Sequence, residues 1–130
     1  ISNNIDLMKT LKADGLYISA YNKKLSPSFL KNDYKIIGTA HNIKEINLKK
    51  LQGCTEIILS RLFKTSYKNK KDFLGVIKFN LLSKLMNTTL TPLGGINLKN
   101  LNNLKNVNCE NVALSSLVKN ESNKIHTSLR

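Results

Sequence analysis

The sequence contains only two cysteines, Cys54 and Cys109, and neither belongs to a C-x-x-C motif or has a histidine nearby. This spacing excludes a dithiol redox motif and the usual cysteine and histidine patterns of zinc sites. Disulfides are rare in reducing compartments. We therefore interpret both cysteines as small, buried, apolar side chains in a reducing compartment.

Long apolar runs are also absent, because no segment approaches the roughly 20 residues that a membrane-spanning helix needs. The segment 1–6 (Ile-Ser-Asn-Asn-Ile-Asp) is polar and acidic, unlike the start of a signal peptide. We therefore expect a cytoplasmic protein with no membrane partner.

Arginine is scarce, since the 21 basic residues include only Arg61 and Arg130, and with 8 acidic residues the formal net charge is +13. Such a charge can indicate a nucleic-acid or membrane partner. Arginine, however, is the usual residue for bidentate recognition of bases and phosphates, and the lysines here are spread along the whole chain. We interpret the charge as the composition that an AT-rich genome encodes, and we predict no nucleic-acid partner.

Short apolar segments alternate along the chain with longer amphipathic ones. The apolar segments show no regular alternation of apolar and polar residues, which is typical of strands buried on both faces of a parallel sheet with helical crossovers. We predict strands at residues 15–19, 35–40, 56–60, 90–94 and 111–115. We predict helices at residues 5–12, 26–32, 42–52, 72–86 and 97–106.

The predicted strands are evenly spaced, except for a longer gap that is filled by the polar loop at residues 61–71. Such a repeat is typical of an α/β TIM barrel, whose chemistry lies on the loops after the strands. A complete eight-stranded barrel takes about 200 residues or more. We therefore predict a partial (β/α)8 TIM barrel, strands four to eight, at residues 1–124, with three strands before Ile1 and a tail at residues 125–130. The alternative is an open sheet with two exposed edges.

The turn Leu93-Gly94-Gly95-Ile96-Asn97 is the main candidate for a phosphate site. Two glycines after a strand let the backbone approach a ligand, and Asn97 is placed to cap a helix whose N-terminus attracts anions. Ser115 and Ser116 follow the next predicted strand, and the last two strands of α/β barrels commonly share a phosphate site. The alternative is that Gly94-Gly95 forms only a tight turn.

Two further polar segments follow predicted strands. The loop at residues 60–71 is rich in hydroxyls and lysines, which suit a phosphate or diphosphate, although a solvated lysine loop is the alternative. Thr39 and His41 lie at the end of the strand 35–40. A single histidine is more often a hydrogen-bonded structural residue than a catalytic one, and both interpretations stay open for His41.

These segments, in this order, resemble the thiamine-phosphate synthase and TenI family over most of the chain. Ala-Asp-Gly-Leu-Tyr-Ile at residues 13–18 is similar to the family's Ala-Asp-Gly-Val-His-Leu strand, and residues 38–41 to its Ser-Ala-His strand end. Residues 53–68 resemble its Gly-Ala-Asp-Tyr strand and the Thr-x-x-Lys loop that follows. Residues 93–96 match its Gly-Gly-Ile turn, and residues 111–116 resemble its final strand.

The resemblance implies a (β/α)8 barrel whose synthase joins hydroxymethylpyrimidine diphosphate to thiazole phosphate, with magnesium, and releases diphosphate. Its partners would be small-molecule phosphate esters. The residues implied to hold the thiazole phosphate are Thr65, Gly94, Gly95, Ser115 and Ser116. Thr39 and Lys68 would contact the departing diphosphate, whose developing charge Lys68 would stabilise.

The family's two magnesium carboxylates align with Asn3 and Asn22. Asparagine is neutral and a poorer ligand for Mg²⁺ than a carboxylate, so the resemblance implies a weakened metal position. Tyr17 replaces a histidine of the family. Three functions stay open: a synthase, a TenI-like tautomerase in which His41 would serve acid–base chemistry, and a non-catalytic binder of a phosphate ligand.

Overall fold

The structure is a computed structural model that describes residues 1–25, 34–65 and 72–115. It contains helices α1 (Ile5–Thr10), α2 (Ile43–Leu51) and α3 (Gly75–Leu85), and then a 3₁₀ helix at Leu101–Asn106. Its strands are β1 (Gly15–Ile18), β2 (Lys35–Ala40), β3 (Glu56–Ser60) and β4 (Thr89–Leu93). The strands form one parallel sheet in the order β1-β2-β3-β4, which confirms the predicted α/β fold with helical crossovers. The helix predicted at residues 26–32 lies outside the described residues.

Alternate side chains of each strand point to opposite faces of the sheet. On one face, the strands and helices bury their apolar side chains in a common core. The core includes Leu16, Ile18, Ile36, Ile57, Leu59 and Leu90 from the strands and Met8, Ile46, Phe79 and Leu82 from the helices. The other face, which we call the polar face, carries Tyr17, Lys35, Thr39, Glu56 and Thr91 at the alternate positions. The sheet is therefore packed against helices on one side, and its polar face also carries Ile37, Ile58 and Leu93.

Helix α3 begins at Gly75, later than the predicted start at residue 72. The backbone amides of Leu74 and Gly75 donate to the carbonyls of Arg61 and Leu62 at 2.8 and 2.9 Å. These bonds hold residues just before the helix against the loop that follows β3. The hydrophobic periodicity continues through this segment, which explains why the sequence pattern extends the helix too far.

The fifth predicted strand, at residues 111–115, is wrong in the part of the chain that the structure describes. Only Ala113 pairs with the sheet, in a parallel bridge to Leu93, and its amide donates to the carbonyl of Pro92 at 3.0 Å. The described sheet therefore has four strands, and the segment touches its β4 edge at one point.

The predicted helix at residues 97–106 is also wrong in its first turn. Asn97 caps only a single turn: its Oδ1 accepts from the amide of Lys99 at 3.0 Å, and its own amide donates to Asn100 Oδ1 at 2.9 Å, but no α-helix follows. A six-residue 3₁₀ helix follows, from Leu101 to Asn106. Asparagine side chains that bond nearby backbone compete with helix formation, and this segment is rich in asparagine.

The two cysteines are free thiols, with Cys54 buried and Cys109 half-buried. Burial raises the pKa of both, for Cys54 to about 11. The prediction of a small buried side chain is confirmed for Cys54. None of the helices in the three described segments is long and apolar enough to cross a membrane.

Candidate functional site

The carboxyl ends of the parallel strands meet at one edge of the sheet, where α/β barrels carry their ligand sites. Residues 19–25 follow β1, residues 41–42 follow β2, residues 61–65 follow β3 and residues 94–97 follow β4. Residues 1–3 run beside β1, because the Asn3 amide donates to the Tyr17 carbonyl at 2.8 Å. This pairing brings Asn3 to the same edge. The predicted site residues that the structure describes therefore lie on neighbouring loops.

The glycine turn after β4 packs tightly against the loop after β3. Gly94 and Gly95 both have positive φ, at +97° and +72°, which favours glycine. A Cβ on Gly95 would lie 2.3 Å from the carbonyl oxygen of Phe63. The amide of Phe63 donates to the carbonyl of Gly94 at 3.0 Å. Gly95 is thus required by local packing, as well as being suited to the close approach of a ligand.

Two asparagine side chains hold the peptide that joins Gly95 to Ile96. The Gly95 carbonyl accepts from Asn97 Nδ2 at 3.1 Å and from Asn100 Nδ2 at 2.8 Å. In a trans peptide the carbonyl and the following N–H point in opposite directions, so these bonds also fix the direction of the Ile96 amide. That amide has no acceptor within the described segments. It is a preoriented donor of the kind that binds a phosphate oxygen.

Thr65 ends the described part of the loop after β3. Its Oγ1 is buried and has no hydrogen-bond partner among the residues that the structure describes. An unsatisfied buried hydroxyl costs about 1–3 kcal/mol, so such groups are few in native proteins. The preceding residues, Phe63 and Lys64, have their carbonyl oxygens against Gly95. The predicted phosphate residues Thr65 and Gly95 therefore belong to one tightly packed structure.

Ser115 is the other described member of the predicted phosphate set. It is exposed, and it follows the Ala113 bridge to Leu93, the residue just before Gly94. The structure thus brings its segment to the glycine turn but gives no contact between the serine hydroxyl and that turn. Lys68 and Ser116 lie outside the described residues.

The polar face carries a hydrogen-bonded layer that the sequence analysis missed. Thr91 Oγ1 donates to Glu56 Oε1 at 2.6 Å, and Glu56 Oε2 lies 3.4 Å from Lys35 Nζ. Nearer the carboxyl edge, the hydroxyls of Tyr17 and Thr39 are hydrogen-bonded at 2.5 Å. Polar residues at alternate positions of apolar strands are the signal that could have revealed this layer. Thr39 is thus already hydrogen-bonded to Tyr17. Its contact with a diphosphate stays a prediction.

The loop after β1 brings Asn3 and Asn22 together. Asn22 Nδ2 donates to Asn3 Oδ1 at 3.2 Å, and the amide of Ser19 donates to the same oxygen at 2.9 Å. Asn22 Oδ1 accepts from the amide of Lys24 at 3.0 Å. The two positions that the resemblance aligns are therefore adjacent in space, and their oxygens bond to neighbouring donors.

His41 belongs to the start of helix α2. Its ring Nδ1 lies 3.0 Å from Glu45 Oε2, and its backbone amide donates to the same oxygen at 2.8 Å. Burial alone would raise the pKa of the Glu45 carboxyl, but the hydrogen bonds from His41 outweigh it and lower that pKa. His41 also lines a groove with Leu74 and Leu81, where α2 and α3 meet. The structure therefore places this histidine just before Asn42, the N-cap of α2, where it bonds Glu45.

Residues 1–118 match a protein-family model described as thiamine monophosphate synthase. The chain belongs to the thiamine monophosphate synthase family. It is 34% identical over 124 residues to the thiamine-phosphate synthase of Prochlorococcus marinus subsp. pastoris, covering 89% of this chain and 34% of that protein. It is 29% identical over 126 residues to the thiamine-phosphate synthase of Fusobacterium nucleatum subsp. nucleatum, covering 93% of this chain and 60% of that protein. The predicted family is thereby confirmed.

The fold is similar to that of a thiamine phosphate pyrophosphorylase from Pyrococcus furiosus. The TM-score is 0.67 at 14% sequence identity, and the match covers 88% of this chain and 55% of that one. Similarity at this identity shows the fold alone. The chain spans 34% and 60% of the length of the two thiamine-phosphate synthases to which it was compared.

Magnesium is the cofactor that the family resemblance implies, at the positions of Asn3 and Asn22. Mg²⁺ requires oxygen ligands in octahedral geometry, and carboxylates are its usual protein ligands. Here both side chains are neutral, and their oxygens already accept hydrogen bonds from Ser19, Asn22 and Lys24. Within residues 1–25, 34–65 and 72–115, no cluster of acidic, histidine or cysteine side chains could hold a metal ion. Asn3 and Asn22 therefore do not fit a magnesium ion.

Proposed function

We propose that the loops after β3 and β4 hold the phosphate of a thiazole phosphate, and that the whole protein is a thiamine-phosphate synthase. The observation that carries this proposal is the buried hydroxyl of Thr65, which has no hydrogen-bond partner among the described residues and lies in the loop that packs against Gly95. Family membership and relatives named thiamine-phosphate synthase support the same substrate class. The partners are then small phosphate esters in the cytoplasm, a location that stays a prediction.

In this reaction the thiazole phosphate displaces diphosphate from hydroxymethylpyrimidine diphosphate. The lone pair of the thiazole ring nitrogen forms a bond to the methylene carbon of the pyrimidine, the bond from that carbon to the diphosphate oxygen breaks, and its electron pair leaves with the diphosphate. Residues that hold the phosphate of the attacking partner contribute by fixing its position for the displacement. The role of Lys68 at the departing diphosphate stays a prediction, as do the phosphate contacts of Ser115 and Ser116.

A TenI-like tautomerase requires His41 to exchange protons with a bound thiazole. The ring of His41 is held by Glu45, at the cap of α2, and this geometry favours a structural role. The synthase is therefore the function that the described residues support better. A protein that binds thiazole phosphate without turnover is the remaining outcome.

The test is calorimetric binding of thiazole phosphate to the protein and to Thr65→Val, which removes the hydroxyl and keeps the side-chain shape. A hydrogen bond to a charged group contributes about 1.5–3 kcal/mol, so we expect affinity to fall by about 10-fold or more. Since the same hydroxyl is unpaired without ligand, unfolding free energy in urea should stay equal or rise by about 1 kcal/mol.

Thr10→Val is the matched control, because Thr10 is an exposed residue of α1 whose hydroxyl bonds only the Asp6 carbonyl within the described segments. Unchanged thiazole phosphate affinity in Thr65→Val would place the phosphate site elsewhere. Synthase assay of the whole protein with both substrates then separates a transferase from a binder.

A further inference from the structure

Lys49 of helix α2 is fully buried, with 0% of its surface exposed. Its ammonium donates to the carbonyls of Ser19 at 2.7 Å and Asn22 at 2.8 Å, and to Gln52 Oε1 at 2.8 Å. An ammonium has three donors, and all three are used. The cation is therefore completely coordinated by neutral oxygens, two of which belong to the loop after β1.

Gln52, also fully buried, extends this contact along the same loop. Its Nε2 donates to the carbonyl of Asn22 at 3.0 Å and to that of Lys24 at 2.8 Å. The Asn22 carbonyl thus accepts hydrogen bonds from both Lys49 and Gln52, and the Asn22 side chain donates to Asn3 Oδ1. Helix α2 and the Asn3–Asn22 pair hold the loop from two sides. We call Lys49 and Gln52 the α2 clamp.

A buried ammonium is costly, because its hydration is lost and neutral oxygens replace it only in part. Desolvation lowers the pKa of Lys49, against the attraction of Cys54 and Glu45, the nearby groups that can carry negative charge. No carboxylate forms an ion pair with Lys49 among the described residues. The position is also tightly packed, since a Cβ on Gly38 would lie 2.9 Å from Lys49 Cδ.

We propose that Lys49 is a positioning residue that supplies a built-in cation to the loop after β1, and that the Asn3–Asn22 pair takes no divalent metal. Two carboxylates at these positions, as in the family, would repel each other and would need a cation between them to lie this close together. The neutral amides bond each other directly, and the loop beneath them is fixed by the Lys49 ammonium. The inference rests on the proposed function only in that this loop borders the substrate site. Loop order and metal binding are both measured without substrate.

Trypsin measures the order of this loop, because Lys23 and Lys24 are exposed within it. We expect Lys49→Met to accelerate cleavage after these two residues at least about 10-fold, since opening of a segment controls its proteolysis. Lys44→Met is the matched control, an exposed lysine of the same helix, and it should be cleaved there at the wild-type rate. Gln52→Leu keeps the Lys49 bonds to Ser19 and Asn22 and should give an intermediate rate.

The proposal also predicts that metal ions do not affect this loop: EDTA and millimolar Mg²⁺ should leave wild-type cleavage unchanged, and Mn²⁺ titrated as a probe by calorimetry should show no saturable binding. A loop held by a metal ion would instead be cleaved faster in EDTA and would bind Mn²⁺. Saturable Mn²⁺ binding that Asn3→Ala removes, or faster cleavage in EDTA, would overturn the proposal. If Lys49→Met does not fold, Gln52→Leu decides: cleavage after Lys23 and Lys24 as slow as in Lys44→Met would also overturn it.

Discussion

The two ends of the candidate site differ in how their polar groups are satisfied. At the loops after β3 and β4, the Thr65 hydroxyl is buried without a partner, and the Ile96 amide has no acceptor within the described segments. At the loop after β1, the oxygens of Asn3 and Asn22 and the ammonium of Lys49 all bond to protein groups. Buried polar groups normally have partners, so the unpartnered set is the end at which we propose a ligand.

Because of this difference, we expect phosphate binding and synthase catalysis to depend on different loops. A phosphate can bind at the first end without change at the second, because the two ends belong to different loops. The second end is where the family resemblance implies metal and diphosphate chemistry, and there the carboxylates are replaced by asparagines. Retention of the phosphate end is therefore no guarantee of synthase turnover, and experiments that alter one end at a time are the informative ones.

The largest expected effect is at Gly95, where Gly95→Ala combines a strained φ with a clash against Phe63. The left-handed conformation costs about 1–2 kcal/mol and overpacking about 1–3 kcal/mol, so we expect about 3 kcal/mol or more of lost unfolding free energy. Gly75→Ala is the control, with φ +74° but nothing within 4 Å of the new Cβ. It should cost only about 1–2 kcal/mol in the same urea titration.

Equal losses in the two glycine variants would show that the contact with the loop after β3 is not rigid. The comparison also limits what a Gly95 variant can say about ligand binding. Because the substitution displaces Phe63 and Lys64, it perturbs Thr65 as well, and loss of phosphate binding would follow from either cause. Thr65→Val is the cleaner probe of the phosphate end.

The sheet and the family could be predicted from the sequence because their signals are local or repeated. Four of the five predicted strands are confirmed, since runs such as Ile36-Ile37 and Ile57-Ile58-Leu59 have high β-propensity and end at polar residues. The Gly94-Gly95 turn follows its strand as predicted. The fifth strand is wrong because apolar content alone does not supply a pairing partner for residues 111–115.

The α2 clamp could not be predicted, because its partners are distant in sequence. Lys49 is one of many lysines, and its amphipathic helix places it no differently from the exposed Lys50. Its burial depends on the carbonyls of Ser19 and Asn22, which any residue type can supply. Side-chain hydrogen bonds to backbone groups leave little signal in the sequence, whereas a motif such as Gly-Gly-Ile is visible in the sequence itself.

A smaller effect is expected at Cys54, which packs beside Lys49 under Gly38. The unfolded thiol titrates near 9.0, and burial raises the folded pKa to about 11. Between these values the unfolded state binds fewer protons, so stability falls as pH rises through about 9 and the loss is complete above about 11. We expect a loss of about 2–3 kcal/mol, measured by urea unfolding at several pH values. A wild-type pH slope that persists in Cys54→Ala would assign it to other groups.

The smallest effect is expected at the α2 cap, where the amide and ring of His41 bond Glu45. The folded pKa of Glu45 is lowered, so its contribution is present above the unfolded value of 4.5 and is lost as pH falls through the folded value. Glu45→Gln should therefore cost about 0.5–1 kcal/mol at pH 7 and less at pH 3, because a cap contributes about 1 kcal/mol.

His41→Gln should leave thiazole phosphate binding unchanged. Loss of thiazole isomerisation in His41→Gln would instead give His41 the acid–base role. The N-terminus of α2 would then be a third functional region, beside the two ends of the candidate site.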